Sequence, residues 1–238
     1  MSRLAYSLLS FLLLSAAARA GADEAPLVVF PAIPAQAQTQ ADLVPKGWTV
    51  EMESRGDLNG DRVPDLLLVL HMTDPSNVIK NDGFGASELD TNPRILVIAF
   101  AGKATKKYSL ALANHTLIPR HTNPSMDDPL AGAEIVKGTL QVSLGFWMSA
   151  GSWYESQTRF TFRYQDGCFK LIGYDSTGRQ RNSEETSTVS INYLTRKAKT
   201  TKGNIQNDRT SVAWKTVRTP ALLCLDAVGD GLDFDPES

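Results

Sequence analysis

The chain has 238 residues, a formal net charge of −2 at pH 7 and 42% hydrophobic residues. A charge so close to neutral gives no reason to expect nucleic acid or an anionic membrane as a partner. After the first twenty residues, no apolar run approaches the roughly 18 residues that a transmembrane helix needs, so the sequence predicts no membrane span.

Residues 1–20 are organised like a signal peptide. Arg3 provides the positive start, residues 4–14 form a short apolar stretch, and residues 18–20 make a small-x-small cleavage site before Gly21. Cleavage would remove two cations and no acid, which changes the net charge from −2 to −4. We therefore expect a periplasmic or secreted protein whose mature chain begins at Gly21.

The remaining chain divides by composition into three parts. Residues 21–46 are rich in Ala, Pro and Gln, which predicts a mobile leader. Residues 47–225 carry the strand patterns of a β domain, and residues 226–238 form an acidic tail that contains glycine. We expect the leader and the tail to lie outside the folded domain.

Strand patterns dominate the predicted domain. The continuous apolar runs at 66–70 and 95–100 are typical of strands that are buried on both faces. Apolar and polar residues alternate at 140–146, 160–164 and 189–193, a period that places one row of side chains on a core and the other in water. The sequence therefore predicts an all-β fold, a single antiparallel sandwich or curved meander domain with little helix.

Turn signals separate the predicted strands. Gly, Asp, Asn and Ser cluster at 165–167, 176–178 and 201–204. Two longer stretches, 74–93 and 114–131, interrupt the rhythm of strands. Loops of that length in a compact domain are often functional, although disorder is an equal alternative.

The two cysteines, Cys168 and Cys224, both lie in the part of the chain that would be exported. Disulfides form in oxidising compartments outside the cytoplasm, and two cysteines allow only one pairing. We expect a Cys168–Cys224 bond, which would close a loop of about 57 residues and contribute up to about 4 kcal/mol in the chain-entropy account.

One segment carries metal-binding chemistry. Residues 56–70 read GDLNGDRVPDLLLVL, with oxygen-bearing side chains at positions 1, 3, 5 and 9 of the loop and a backbone carbonyl at position 7. Such an all-oxygen set suits Ca²⁺, fits Mg²⁺ less well and argues against Zn²⁺ or Cu²⁺. The alternative is a metal-free Asp/Asn/Gly turn before a strand. The predicted ligands of one structural Ca²⁺ are Asp57, Asn59, Asp61, the Val63 carbonyl and Asp65.

This segment resembles the calcium loop D-x-[DN]-x-D-G-x-x-D-L of FG-GAP and VCBS-type repeats, which occur in integrin α propellers and in many secreted bacterial proteins. Arg62 stands where the loop has its turn glycine, and the chain has the loop only once. Further matches at 45–48, 92–94 and 162–165 resemble a family of uncharacterised bacterial exported proteins. The resemblance implies a secreted, calcium-stabilised β domain and implies no activity.

Histidines and acidic residues offer an alternative site in the 114–131 stretch. His115 and His121 flank a loop that also carries Asp127 and Asp128, a set that could serve a hydrolase if the side chains converged. His71 follows a buried strand and is interpreted as a structural residue. The chain has no G-x-S-x-G, H-E-x-x-H or P-loop pattern, so no catalytic residue is assigned.

Aromatic residues cluster at Trp147, Trp153 and Tyr154. Such a group either closes one end of a sandwich core or contacts a carbohydrate or protein ligand. The sequence as a whole favours a binding or envelope-associated module with an unknown protein or carbohydrate ligand. The alternatives are a periplasmic inhibitor or immunity protein, and a hydrolase that uses the 114–131 loop.

Overall fold

The computed structural model describes residues 25–218 and 221–237, and antiparallel strands make up most of it. Two large sheets share one hydrophobic core, which confirms the predicted all-β sandwich. The predicted signal peptide and the cleavage site before Gly21 lie outside the described residues. Within the described ranges, no helix is long and apolar enough to cross a membrane.

The first sheet has five strands in the order β1-β7-β6-β3-β2. A small hairpin, β4 and β5, is inserted between β3 and β6 and forms a separate two-stranded sheet within the 74–93 stretch. These strands are β1 (Gln36–Ala37), β2 (Trp48–Gly56), β3 (Asp65–Met72), β4 (Val78–Lys80), β5 (Glu88–Asp90), β6 (Arg94–Ala101) and β7 (Tyr108–Asn114).

The second sheet is a seven-stranded meander in which every strand pairs with its neighbours in the chain. The two sheets approach each other where β2 lies beside β8, at a hydrogen bond from the Ile135 N–H to Ser54 Oγ. The strands are β8 (Leu130–Val136), β9 (Thr139–Phe146), β10 (Tyr154–Gln165), β11 (Cys168–Gln180), β12 (Glu185–Asn192), β13 (Lys197–Asn204) and β14 (Asn207–Thr216).

One of the three predicted turns is confirmed. Asp166 and Gly167 join β10 to β11, and both have the positive φ that a tight hairpin turn requires. The turns predicted at 176–178 and 201–204 are wrong, because β11 and β13 continue through them. Gly178 serves close packing instead, since a Cβ there would lie 2.2 Å from the Tyr154 hydroxyl oxygen.

The main core lies between the two sheets. Leu67, Val69, Leu96 and Ile98 of the first sheet pack in the same cluster as fully buried side chains of the second, such as Phe160. The alternating strands therefore have one buried row each, as predicted. The second sheet contributes Leu140, Val142, Leu144, Phe160, Phe162, Phe169, Leu171, Tyr174, Ile191 and Ala198 to this core.

A second core covers the other face of the first sheet, where the N-terminal segment packs. Ile33, Ala37 and Leu43 are buried together with the alternate residues of β3 and β6, and Leu43 is 0% exposed. This second layer explains the continuous apolar runs, which need cover on both faces. The prediction that 21–46 is a leader outside the domain is therefore corrected for its described part, residues 25–46.

The acidic tail also belongs to the domain. Leu225 and Val228 are buried in the main core, and the Phe234 ring packs edge-on against Phe160 with centroids 5.5 Å apart. The Gly231 N–H donates to the Leu117 carbonyl at 3.0 Å. The predicted boundary between residues 225 and 226 is corrected, because apolar side chains alternate with the aspartates and fill the end of the sandwich.

The predicted disulfide is confirmed. Cys168, the first residue of β11, is bonded to Cys224, with 5.9 Å between the Cα atoms. An isolated bridge pairs Lys170 with Cys224, so the C-terminal segment adds to β11 at this point. The bond therefore fastens the closing segment of the chain to the seven-stranded sheet.

Candidate functional site

The predicted calcium loop is shaped by its own side chains. Asp57 accepts hydrogen bonds from the Gly60 N–H at 2.7 Å and from the Arg62 N–H at 2.8 Å. Asp61 accepts from the Val63 N–H at 2.8 Å. Arg62, which replaces the expected glycine, adopts the left-handed conformation with φ 66°. That conformation costs a residue with a side chain roughly 1–2 kcal/mol, and the hydrogen bond to Asp57 helps to offset this cost.

Asp65 is the fully buried member of the predicted ligand set. Its carboxylate accepts from the Leu58 N–H at 2.8 Å and from the Ala101 N–H at 3.0 Å, and so joins the loop to the end of β6. Burial raises the pKa of Asp65, the two backbone N–H groups work to lower it, and the charge of Asp61 adds to the increase. Leu58, which is 4% exposed, anchors the loop in the main core.

The loop fits calcium in its chemistry. Every predicted ligand is an oxygen, and an ionised carboxylate has about four acceptor sites, so the backbone hydrogen bonds leave acceptor capacity on Asp57, Asp61 and Asp65. The described residues contain no group of three or more His, Cys, Asp or Glu side chains arranged to hold a metal. Calcium binding by the loop therefore stays a prediction.

The histidines of the 114–131 stretch make separate contacts. His115 stacks on Phe30 with ring centroids 4.1 Å apart, and His121 Nε2 lies 2.7 Å from the Met126 carbonyl oxygen. Asp128 binds Arg94 through both of its oxygens. No described hydrogen bond joins a histidine of this stretch to Asp127 or Asp128, and the hydrolase remains an untested alternative.

Arg94 is the buried centre of a charge cluster that the sequence did not reveal. Its guanidinium donates to Glu51 at 2.7 Å and to Asp128 at 2.7 and 2.9 Å. Burial works to lower the pKa of Arg94, but the two carboxylates outweigh it and raise the pKa above its usual range. Burial likewise works to raise the pKa of Asp128, and the Arg94 hydrogen bonds outweigh it and lower that pKa.

A cleft of about 590 Å³ lies beside this cluster, within the range of small-molecule and cofactor sites. Five strands of the seven-stranded sheet and the segments next to them bring its lining together. The lining combines aromatic, charged and neutral polar side chains. It includes Asp127, Asp128, Phe146, Trp147, Glu155, Gln157, Thr177, Arg179 and Thr186.

The aromatic turn beside the cleft is held by Arg181. The guanidinium carbon lies 4.8 Å from the ring centroid of Trp147 and 5.8 Å from that of Trp153. Arg181 also donates to the carbonyls of Met148 and Ser152, at 2.5 and 2.7 Å. Cation–π contacts and hydrogen bonds to carbonyls together fix the 147–153 turn, while the Trp153 side chain stays 63% exposed.

Glu155 connects this turn to the cleft. Its carboxylate lies 3.7 Å from Arg179 Nη1 and 3.9 Å from Arg181 Nε. The Nε groups of both arginines are buried and have no hydrogen-bond partner in the structure. The sequence indicated the tryptophans but not these polar partners, because strand register, and not spacing in the chain, brings them together.

Comparison with models of protein families gave no match, and neither a curated protein nor a solved structure proved similar to the chain.

Proposed function

We propose that this chain is an exported β domain that binds a ligand in the cleft beside the 147–153 turn. A structural calcium ion in the 57–65 loop would stabilise the domain. The observation that carries the proposal is a cleft in which an aromatic wall and several polar groups meet on a rigid sheet. Binding sites combine these two kinds of surface, because the apolar part supplies contact area and the polar part fixes orientation.

The fixed turn supports binding over a purely structural role for the tryptophans. A turn that only closed the core would bury its aromatic rings, whereas Trp153 is mostly exposed. Arg181 contacts both indoles, so a partner would meet a surface that the domain itself holds in place. Preorganisation lowers the entropic cost of association.

The calcium part of the proposal rests on the loop and its connections. Asp57, Asn59, Asp61 and the Val63 carbonyl would supply exposed or half-buried oxygens, and Asp65 would supply the buried one. A bound cation would neutralise the mutual repulsion of three carboxylates. The ion would then stabilise the start of β3, which runs through both cores.

Export is supported by two independent features. Residues 1–20 have the pattern of a signal peptide, and the Cys168–Cys224 bond is of a kind that persists in oxidising compartments. A periplasmic or secreted location follows from the same proposal.

A second candidate function is that of a periplasmic inhibitor or immunity protein. The exposed Trp153 favours it, since protein interfaces often centre on an aromatic side chain that inserts into a pocket of the partner. A protein partner would engage the 147–153 turn from outside, whereas a small ligand would enter the cleft next to it.

Affinity capture from a cell-envelope extract tests the proposal. The immobilised domain should retain the same envelope component in its wild-type form and as Trp214→Ala, a control that removes an exposed tryptophan from β14. Asp127→Ala should reduce retention if the cleft is the site. If a protein binds the turn instead, Trp153→Ala should be the only variant that reduces retention. Equal retention by all four proteins would contradict the proposal.

A further inference from the structure

We infer, building on the proposed function, that the cleft binds a neutral saccharide, with one sugar ring against Trp147. A sugar ring has apolar C–H faces and an edge of hydroxyl groups that both donate and accept hydrogen bonds. The lining of the cleft has the complementary parts: an indole for the face and a mixed set of donors and acceptors for the edge.

The polar lining is mixed, with three carboxylates and one guanidinium, and Asp127 is the carboxylate outside the ion pairs of the described residues. Asp127 and Glu155 contribute acceptors, Arg179 contributes donors, and the side chains of Gln157 and Thr177 can do both. No described side-chain hydrogen bond engages the Asp127 carboxylate, so it is available to a ligand. A polyhydroxylated ligand uses acceptors and donors at once, which suits such a set.

Charged ligands fit the cleft less well. An anion would lie near the carboxylates of Asp127, Asp128 and Glu155, and only Arg179 would attract it from the lining. A cation would meet the Arg179 guanidinium and only one carboxylate outside an ion pair, Asp127. A neutral ligand avoids both the repulsion of an anion by the carboxylates and the repulsion of a cation by Arg179.

Isothermal titration calorimetry with defined tetrasaccharides tests the inference. The neutral probes are cellotetraose, maltotetraose and chitotetraose, and the charged probes are tetragalacturonate and the chitosan tetramer. We expect at least one neutral probe to bind and neither charged probe to bind more tightly. Gln157→Ala and Asp127→Ala should each weaken that binding by roughly tenfold, because each removes a hydrogen-bonding group from the site.

The controls separate the outcomes. Trp214→Ala should bind as the wild type does, and circular dichroism should show that each variant is folded. Binding of a charged probe alone, weakened by Asp127→Ala, would contradict the inference and leave the cleft as the binding site of the proposed function. Absence of binding to every neutral probe at millimolar concentration would also overturn the inference, while envelope capture would still decide the proposed function separately.

Discussion

Arg94 joins the first sheet to the margin of the cleft. Its side chain is 6% exposed, and it holds Glu51 of β2 and Asp128 beside the cleft. A buried guanidinium needs such partners, because removing an unpaired charge from water is costly. The contact with Arg94 therefore determines where Asp128 lies.

Replacing Arg94 should change the response of the domain to acid. The folded state lowers the pKa of Asp128, so this group adds stability above its unfolded pKa, and that contribution is lost as the pH falls through the folded value. Arg94→Met should lower the free energy of unfolding by about 1.5–3 kcal/mol at neutral pH. It should also make the loss of stability between about pH 4 and pH 2 shallower, as measured by urea unfolding.

Arg159→Met provides a matched control, because Arg159 is an exposed residue of β10 and the substitution removes the same charge. It should leave the acid response unchanged. An equal flattening in both variants would show that net charge, and not the contact with Asp128, governs the response.

At the scale of elements, the N-terminal segment acts as a cover for the first sheet. Leu43 is 0% exposed in the second core, whereas Leu27 of the same segment is fully exposed. Leu43→Ala should destabilise the domain by about 2–5 kcal/mol through lost burial and a cavity. Leu27→Ala should stay within about 0.5 kcal/mol of the wild type. Equal, small effects in thermal unfolding would mean that the segment does not support the fold.

The calcium loop is the second element with a specific test. Calcium should raise the unfolding midpoint more than magnesium does, and at 100 times the dissociation constant it should add roughly 2.7 kcal/mol. Asp61→Ala should abolish this increment, although the variant also loses the turn hydrogen bond to Val63. The readout is therefore the difference in unfolding midpoint between the calcium sample and the chelator sample of the same protein.

Asp233→Ala serves as the control for this test, since Asp233 is an exposed carboxylate of the C-terminal segment. The calcium increment should persist in it. If calcium shifts the midpoint no more than magnesium does, and calorimetry detects no binding at millimolar calcium, the loop is only a turn.

The two kinds of hydrophobic pattern were sufficient to predict the sheets. The runs at 66–70 and 95–100 predicted strands covered on both faces, and the alternation at 140–146 predicted one buried row. By contrast, the sequence did not predict that residues 25–46 and the C-terminal tail belong to the fold. Ile33, Ala37 and Leu43 are too few and too irregularly spaced to distinguish 25–46 from a linker, and the apolar residues of the tail are interrupted by aspartates.

The cleft was harder to predict than the strands. Asp127, Glu155 and Arg179 come together only because β9, β10 and β11 pair in a particular register, in which Glu155 lies opposite Arg179. A one-residue shift would move each of these side chains to the other face of the sheet. By contrast, the 57–65 loop is local in the chain, so its shape follows from residues that are already adjacent.

At the scale of the whole molecule, the proposed export would link the predicted signal peptide to the disulfide. Mass spectrometry of the exported protein should give a mature chain that begins at Gly21 and contains no free thiol. Retention of Met1, or two titratable thiols in the unreduced protein, would contradict export to an oxidising compartment.

The tryptophans provide internal reporters for the cleft. The chain has four tryptophans. Trp147 lines the cleft, Trp153 lies on the turn beside it, Trp48 is 7% exposed in the second core, and Trp214 is exposed on β14. Each indole N–H gives its own signal in a nitrogen–proton correlation spectrum, so a single experiment compares the site with two controls.

Titration of the isotope-labelled domain with solubilised envelope extract is the most direct test of ligand binding in the cleft. We expect the indole signals of Trp147 and Trp153 to shift and saturate, while those of Trp48 and Trp214 stay in place. Saturable shifts confined to Trp214, or no shift of Trp147 and Trp153 with an extract whose component the immobilised domain retains, would contradict ligand binding in the cleft.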